Sequence, residues 1–329
     1  MDDWRDRLEE RWSALQERWA LWDAAPVVTV SLFLFLVFLG VLGWYWSREP
    51  SVFTVAKAGA DKPGQVLAQA MVQVGTTLHD KRGGYLRNDL LPPGLLLDNI
   101  PSWELGVLHQ LRDMTRALHR DMGLSHAPYV EDRDLALAES ALNVTPESWL
   151  FPMAERELVR GSDALEAYNS RLGRGEAHFY PRIVYLQRWL MDVDASLGVL
   201  STRLNSAVPD HAVLFAASGG AALPAVEETA WSGIDNVFYE ARGGAWALLH
   251  LLKAVEVEFG SELERRQSLL SLRAAIHELE ATQQTLWSPV ILNGSGFGLF
   301  ANHSLIMANY LNRAQSDLAD VRVSLLEAE

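Results

Sequence analysis

The sequence predicts an all-α protein: an N-terminal amphipathic helix and one transmembrane helix, followed by an antiparallel helical bundle. Three observations carry this. Residues 27–46, VVTVSLFLFLVFLGVLGWYW, are 20 residues without a charge, enough for a helix to cross a hydrocarbon core of about 30 Å. Downstream, apolar residues recur at alternating three- and four-residue spacing over long stretches. Period-two alternation, the mark of half-buried strands, is essentially absent.

Taken in order, residues 1–26 carry Leu8, Trp12, Leu15, Trp19 and Trp22 on one helical face, with charges on the others. This amphipathic helix suits the membrane interface, and the same spacing suits pairing with another helix. Interfacial lying is the simpler reading, because Trp is a poor knob in a narrow seam. In the span 27–46, thirteen residues are Val, Leu or Phe, which outweigh its two hydroxyls and two glycines. Trp44, Tyr45 and Trp46 form an aromatic belt, and Arg48 and Glu49 mark the return to water. The preceding tail has four Arg against seven acids, the wrong sign for a signal peptide, so the span reads as an uncleaved anchor. Flanking charge ties at three a side, Arg7, Arg11 and Arg18 against Arg48, Lys57 and Lys62, and does not choose an orientation.

The remainder, residues 47–329, reads as one helical domain. Shorter helices are predicted at 64–80, 103–122 and 154–172. Long seams run through Ile183, Leu186, Leu190, Val193, Leu197, Leu200 and Leu204, through Ile234 to Val255, through Leu269 to Leu286 with Gln283 its polar member, and through Phe300 to Leu325. At Phe259-Gly260-Ser261, a Gly followed by an S-x-x-E capping box predicts one helix stopping and the next starting. Ser232 with Asp235, and Ser102 before Trp103 and Glu104, predict further helix starts. The Ala/Gly-rich stretch near residue 220 reads as a loop.

The formal charge is -14, from 42 acidic and 28 basic residues, and no Lys/Arg-rich block exists, which excludes a nucleic-acid surface. With no cysteine, disulfides and thiol nucleophiles are excluded too. The nine histidines form no H-E-x-x-H or E-x-x-H motif. The pairs His109 with Asp113 and His277 with Glu280 read as surface pairs, so no metal, cofactor or catalytic residue is expected. Gly294, Gly296 and Gly298 precede a helix but lack the strand, G-K-[ST] or G-x-S-x-G context of a phosphate loop or nucleophile elbow, and read as a tight turn. Residues 281–312 carry no formal charge. Asn293, Asn302, His303 and Asn309 make a second span costly there, so burial in the bundle is expected.

Residues 83–106, GGYLRNDLLPPGLLLDNIPSWELG, are rich in leucine yet broken by turn signals. Pro93-Gly94 suits a type II turn, and Leu91 and Ile100 are pushed extended by the prolines that follow them. Leu86, Leu90, Leu91, Leu95, Leu96, Leu97 and Ile100 favour a strap lying in a groove between helices. The same geometry would place Tyr85, Arg87, Asp89, Asp98 and Asn99 on the outer side as a recognition surface, and both readings can hold. With Asn293, Asn302 and His303 of the Gly-rich turn, these are the candidate partner or ligand contacts.

Four blocks, GWYWSREP, the strap itself, VFYEARGGAWALLHLLKAVEVEF and LNGSGFGLFANHSLIMANYLNRA, resemble the bacterial domain-of-unknown-function family 2333 across almost the whole chain. The resemblance implies a single-pass inner-membrane protein of Gram-negative bacteria, with a cytoplasmic N-terminus and a periplasmic domain. It implies no activity, cofactor or catalytic residue, and the acidic tail departs from the basic cytoplasmic flank it leads one to expect. The functional expectation is an envelope scaffold or accessory subunit, not an enzyme, whose partners are the lipid bilayer and an unidentified envelope protein rather than nucleic acid. The alternative is an extracytoplasmic ligand-binding or sensor protein with a pocket between the strap and the Gly-rich turn.

Overall fold

The structure is a computed structural model that describes residues 3–55, 62–126, 129–206, 233–285, 291 and 302–327, with the side chains of 3–10, 14–25, 125, 126, 129 and 327 outside the description. The fold is all-α. The helices among the described residues are α1 Asp3–Trp46, α2 Gln65–Asp80, α3 Asn99–Ala117, α4 Arg133–Leu142, α5 Ala154–Arg174, α6 Ile183–Ser206, α7 Ile234–Arg265, α8 Leu269–Ala281 and α9 His303–Glu327. A π-helical turn, Leu118–Met122, extends α3, and a two-residue antiparallel ladder pairs Ser125–His126 with Tyr129–Val130.

The bundle is organised around α7. It packs most extensively on α3, and α2, α6, α8 and α9 also pack against it. On one side α5 packs on both α2 and α4; on the other α9 packs on both α6 and α8. The α3–α7 crossing is close because each helix offers a glycine at the contact. A Cβ on Gly106 would collide with the Glu240 carbonyl, and one on Gly243 with the Trp103 carbonyl. Removing those side chains lets the backbones meet and seats Trp103 and Trp246 ring to ring at 5.1 Å. The seam of α6 is buried as its spacing predicts, from Leu186 through Leu190, Val193 and Leu197 to Leu204.

Several expected joints lie elsewhere. α7 does not stop at Gly260: Phe259 and Leu263 are both buried one turn apart and carry the helix across the glycine. It ends at Arg265 with Arg266 as its cap, and Gln267 is left-handed at φ 57°. Ser268 N–H donates to Leu263 O at 2.9 Å and Gln267 N–H to Glu264 O at 3.1 Å, the two bonds of a Schellman stop with Gln in the usual Gly position. α3 starts at Asn99 rather than after Ser102, which is buried inside the helix. Pro101 sits in its first turn, where a missing N–H costs nothing, and Ile100 is helical although a proline follows it. At Pro93-Gly94 there is no type II turn. Pro93 is helical at φ -84°, ψ -14°, and Gly94–Leu96 form a single 3-10 turn after a cis Pro92–Pro93 bond.

α1 runs unbroken through Pro26, where the charged amphipathic stretch meets the apolar one. Of its face residues only Trp12 has a described side chain, and it is exposed. α8 ends at Ala281, which takes Gln283 out of its seam. α4 has no counterpart among the sequence expectations. Ser232, the stretch near residue 220, Asn293 and the glycines 294, 296 and 298 lie outside the described residues.

Candidate functional site

The junction between α1 and the bundle concentrates the buried polar chemistry of the described residues. Beyond Trp46 the chain turns at Ser47 and runs along α7. There Arg242, 6% exposed in its side chain, takes Glu49 through Nε at 2.7 and 2.9 Å. Its remaining nitrogens donate to Thr282 O at 2.5 Å and Gln284 O at 2.9 Å, carbonyls at the end of α8 that no helical N–H can reach. One guanidinium thereby ties α7, α8 and the chain that follows α1 together.

Two turns further along α7, His250 receives the chain again. Its Nε2 accepts from the Phe53 amide at 3.0 Å while Nδ1 donates to Trp246 O at 2.7 Å, which fixes the tautomer. The Phe53 ring stacks on the imidazole at 3.7 Å and meets Trp246 edge-on at 5.7 Å. Burial pushes the His250 pKa down to about 4, so the ring is neutral. Two turns beyond that, Glu258 accepts from the amides of Gly64 at 2.7 Å and Val66 at 2.8 Å, capping the start of α2 with a carboxylate. One face of α7 thus grips the chain at Glu49, Phe53 and Gly64.

A second buried node holds the beginning of the strap. Glu104, fully buried on α3, accepts from Lys81 Nζ at 2.6 Å, Leu86 N at 2.9 Å and Arg87 N at 2.9 Å. Burial pushes its carboxyl above the ordinary range, with the Lys81 ammonium and the two amides pulling back. Tyr85 is therefore not an outer-face residue: it is 2% exposed, donates to Pro146 O at 3.1 Å, and is held protonated by burial. Arg87 is half-buried and paired with Glu147 at 2.8 Å, and Asn88 donates to Ser148 O at 3.2 Å.

The other candidate contacts disperse. Asp89 is half-buried, its carboxyl raised first by burial and then by Glu155. Asp98 is exposed at the start of α3 and faces the first turns of α7, where it contributes to raising the carboxyl of Asp235. Asn99 buries its Oδ1 without a hydrogen bond. Asn302 is a cap, accepting from Leu305 N at 2.9 Å, and the half-buried His303 ring meets Phe238 of α7 at 6.4 Å. Asp98 and His303 thus both lie near the first turns of α7. The Gly-rich turn, one wall of the pocket expected beside the strap, lies outside the described residues.

The seven apolar strap side chains do not share a groove. Leu86 and Ile100 are buried and Leu97 is half-buried, whereas Leu90, Leu91, Leu95 and Leu96 are exposed. The strap reading holds for its two ends and fails for its middle, which projects beside α1.

A cleft of about 540 Å³ beside the π-turn is a site the sequence reading missed. There His119 Nδ1 lies 2.6 Å from Glu139 Oε2, Arg120 holds the other oxygen of Glu139 at 2.6 Å, and Ser140 and Asn143 complete the wall. His119 Nε2 is buried without a hydrogen bond, 3.8 Å from Glu131. The π-turn displaces His119 from ordinary helical spacing, and such turns recur where a side chain is presented for use. His109 and His277 stay at the surface, 4.0 Å from Glu240 and 3.9 Å from Glu280. Among the described residues no three His, Asp or Glu side chains form a metal-binding group.

Within α1, Pro26–Trp46 is long and apolar enough to cross a membrane, with a mean hydropathy of 2.5. A family described as an uncharacterized protein conserved in bacteria, domain-of-unknown-function family 2333, matches residues 16–328. No curated protein and no solved structure matches the chain.

Proposed function

From the premise that the chain belongs to domain-of-unknown-function family 2333, an uncharacterized family conserved in bacteria, we propose that it is a single-pass membrane protein whose helical domain works through protein contacts, as an envelope scaffold or accessory subunit. In this reading residues 27–46 span the inner membrane, residues 1–26 lie on the cytoplasmic side and residues 47–329 in the periplasm. The observation that carries it is the grip of α7 on residues 49–53, through Arg242 and His250. A domain fixed to its anchor presents its surfaces at a set height and orientation, which suits assembly with another membrane-held protein. The apolar, nearly fully exposed stretch Pro26–Trp46 supports the span. The test is purification of the full-length protein from native membranes in mild detergent, with mass spectrometry of what stays bound. A stoichiometric protein partner supports the reading, and recovery of the chain alone or with only a small molecule counts against it.

The His119 cleft favours a second reading, a ligand-binding or sensor protein. With Nδ1–H turned to the Glu139 carboxylate, Nε2 offers an acceptor, while the Arg120 guanidinium and Asn143 offer donors, to a small polar or anionic ligand. A library of anionic metabolites should then raise the melting temperature of the parent but not of His119→Ala. Equal shifts in both would remove this cleft from consideration.

A further inference from the structure

Along the apolar stretch of α1 every described side chain is exposed except at Leu39, Leu42, Gly43 and Trp46. Those four positions fall on one helical stripe. At Gly43 and Trp46 the strap covers it. A Cβ on Gly43 would stand 3.4 Å from Pro93 Cβ and 3.7 Å from Leu97 Cδ2, and one on Gly83 would lie 2.7 Å from the Trp46 ring. Gly43 precedes Trp46 by three residues, about 4.5 Å along the helix axis. The strap therefore descends below the aromatic end of the apolar stretch.

Its middle carries no charge from Leu90 to Leu97 and is turned outward: Leu91 is 77% and Leu96 72% exposed, with Leu90 and Leu95 about half so. Beside it stands a second uncharged tip, Ser148 to Met153, joined to the strap by the Asn88–Ser148 and Arg87–Glu147 contacts. Phe151 at its apex is 91% exposed, with Trp149 and Leu150 about half so. Behind the tips, cations sit on the belt aromatics, Arg48 over Trp44 at 4.0 Å and Arg82 over Tyr45 at 5.1 Å, as at a bilayer surface. Seven large apolar side chains exposed on two adjoining segments mark an interaction surface. Its continuity with the apolar face of α1 identifies its occupant as lipid.

We propose that the Leu90–Leu96 and Trp149–Phe151 tips enter the leaflet from which α1 emerges, giving the domain a second membrane contact that seats it on the bilayer. The proposal rests on α1 being a span, and the test separates the two. Because the chain has no cysteine, single cysteines can be placed by Leu95→Cys, Phe151→Cys, Phe35→Cys in mid-span and Val323→Cys on α9. Each full-length variant is labelled with an environment-sensitive fluorophore and reconstituted into phosphatidylcholine–phosphatidylglycerol vesicles containing lipids with a shallow or a deep nitroxide.

The expected result is loss of fluorescence at positions 95 and 151 with the shallow nitroxide, at position 35 with the deep one, and at position 323 with neither. If positions 95 and 151 instead respond like 323 to aqueous iodide while 35 stays in lipid, the anchor stands and this proposal falls. Shielding of 95 and 151 from both lipid nitroxides and iodide also overturns it, in favour of a second copy or a protein partner. Absence of quenching at position 35 would reject the span and the proposal with it.

Discussion

His250 is a histidine whose two nitrogens are both committed, one to Trp246 and one to Phe53. Above its ordinary pKa of about 6.5 it is neutral folded and unfolded and adds nothing to the pH dependence. Below that value the unfolded chain takes up a proton that the folded ring refuses until about pH 4, so stability is lost as pH falls through this window. The loss reaches at most about 3 kcal/mol. Glu104, the buried carboxylate partner of Lys81, is raised by burial and has the opposite tendency, so the comparison must be with a variant. Between neutral pH and about pH 5, the melting temperature of the parent in mild detergent should fall further than that of His250→Gln; equal falls would mean the ring is not protected. At the other node, Glu104→Ala strands a buried ammonium and two amides and should cost about 3–5 kcal/mol in chemical denaturation, whereas Glu104→Leu with Lys81→Met should cost much less. Neither node was legible in the sequence. Arg242 and His250 do interrupt an otherwise apolar run from Ala241 to Leu252, which marks them as buried and polar, but a lone charge on a helix carries no address for a partner some 190 residues away. Glu104 read locally as a helix-start acid because its neighbours look like a cap. Its true partners are fixed by the tertiary turn at Lys81 to Arg87.

The elements were far more legible than their ends. Seams spaced three and four residues apart locate α6, α7, α8 and α9 because burial of a stripe is a property of the helix alone. Caps decide ends only when tertiary packing does not outvote them. At Gly260 the burial of Phe259 and Leu263 does so, and at Ser102 the first turn of Pro101 does. α4 escaped notice because ten residues give too little periodicity to stand out. The strap was misjudged for a different reason: a leucine-rich loop signals that apolar surface is covered, not by what. The α3–α7 crossing makes the sharpest element-scale forecast. Gly243→Ala places a methyl against the Trp103 carbonyl and should lower stability by about 2 kcal/mol, whereas Gly260→Ala, with open space around it, should be neutral or slightly stabilising. Thermal unfolding of the two variants side by side checks both, and a harmless Gly243→Ala would mean the helices can part.

At the scale of the whole molecule, the chain that leaves α1 is held against α7 from Glu49 to Phe53. Arg242→Gln should release it. In reconstituted protein, trypsin should then cut after Arg48 within minutes, while the parent resists at that bond; equal rates would show that the grip is not what protects it. The proposed seating of the domain has a consequence for encounter. A domain on a loose tether sweeps a hemisphere and can capture partners at varying heights above its anchor. Here no slack separates anchor and domain, so on the proposed reading the molecule searches by lateral diffusion. Its collisions are confined to a sheet one domain thick, and what it meets depends on surface density in the membrane rather than on concentration in the compartment beyond.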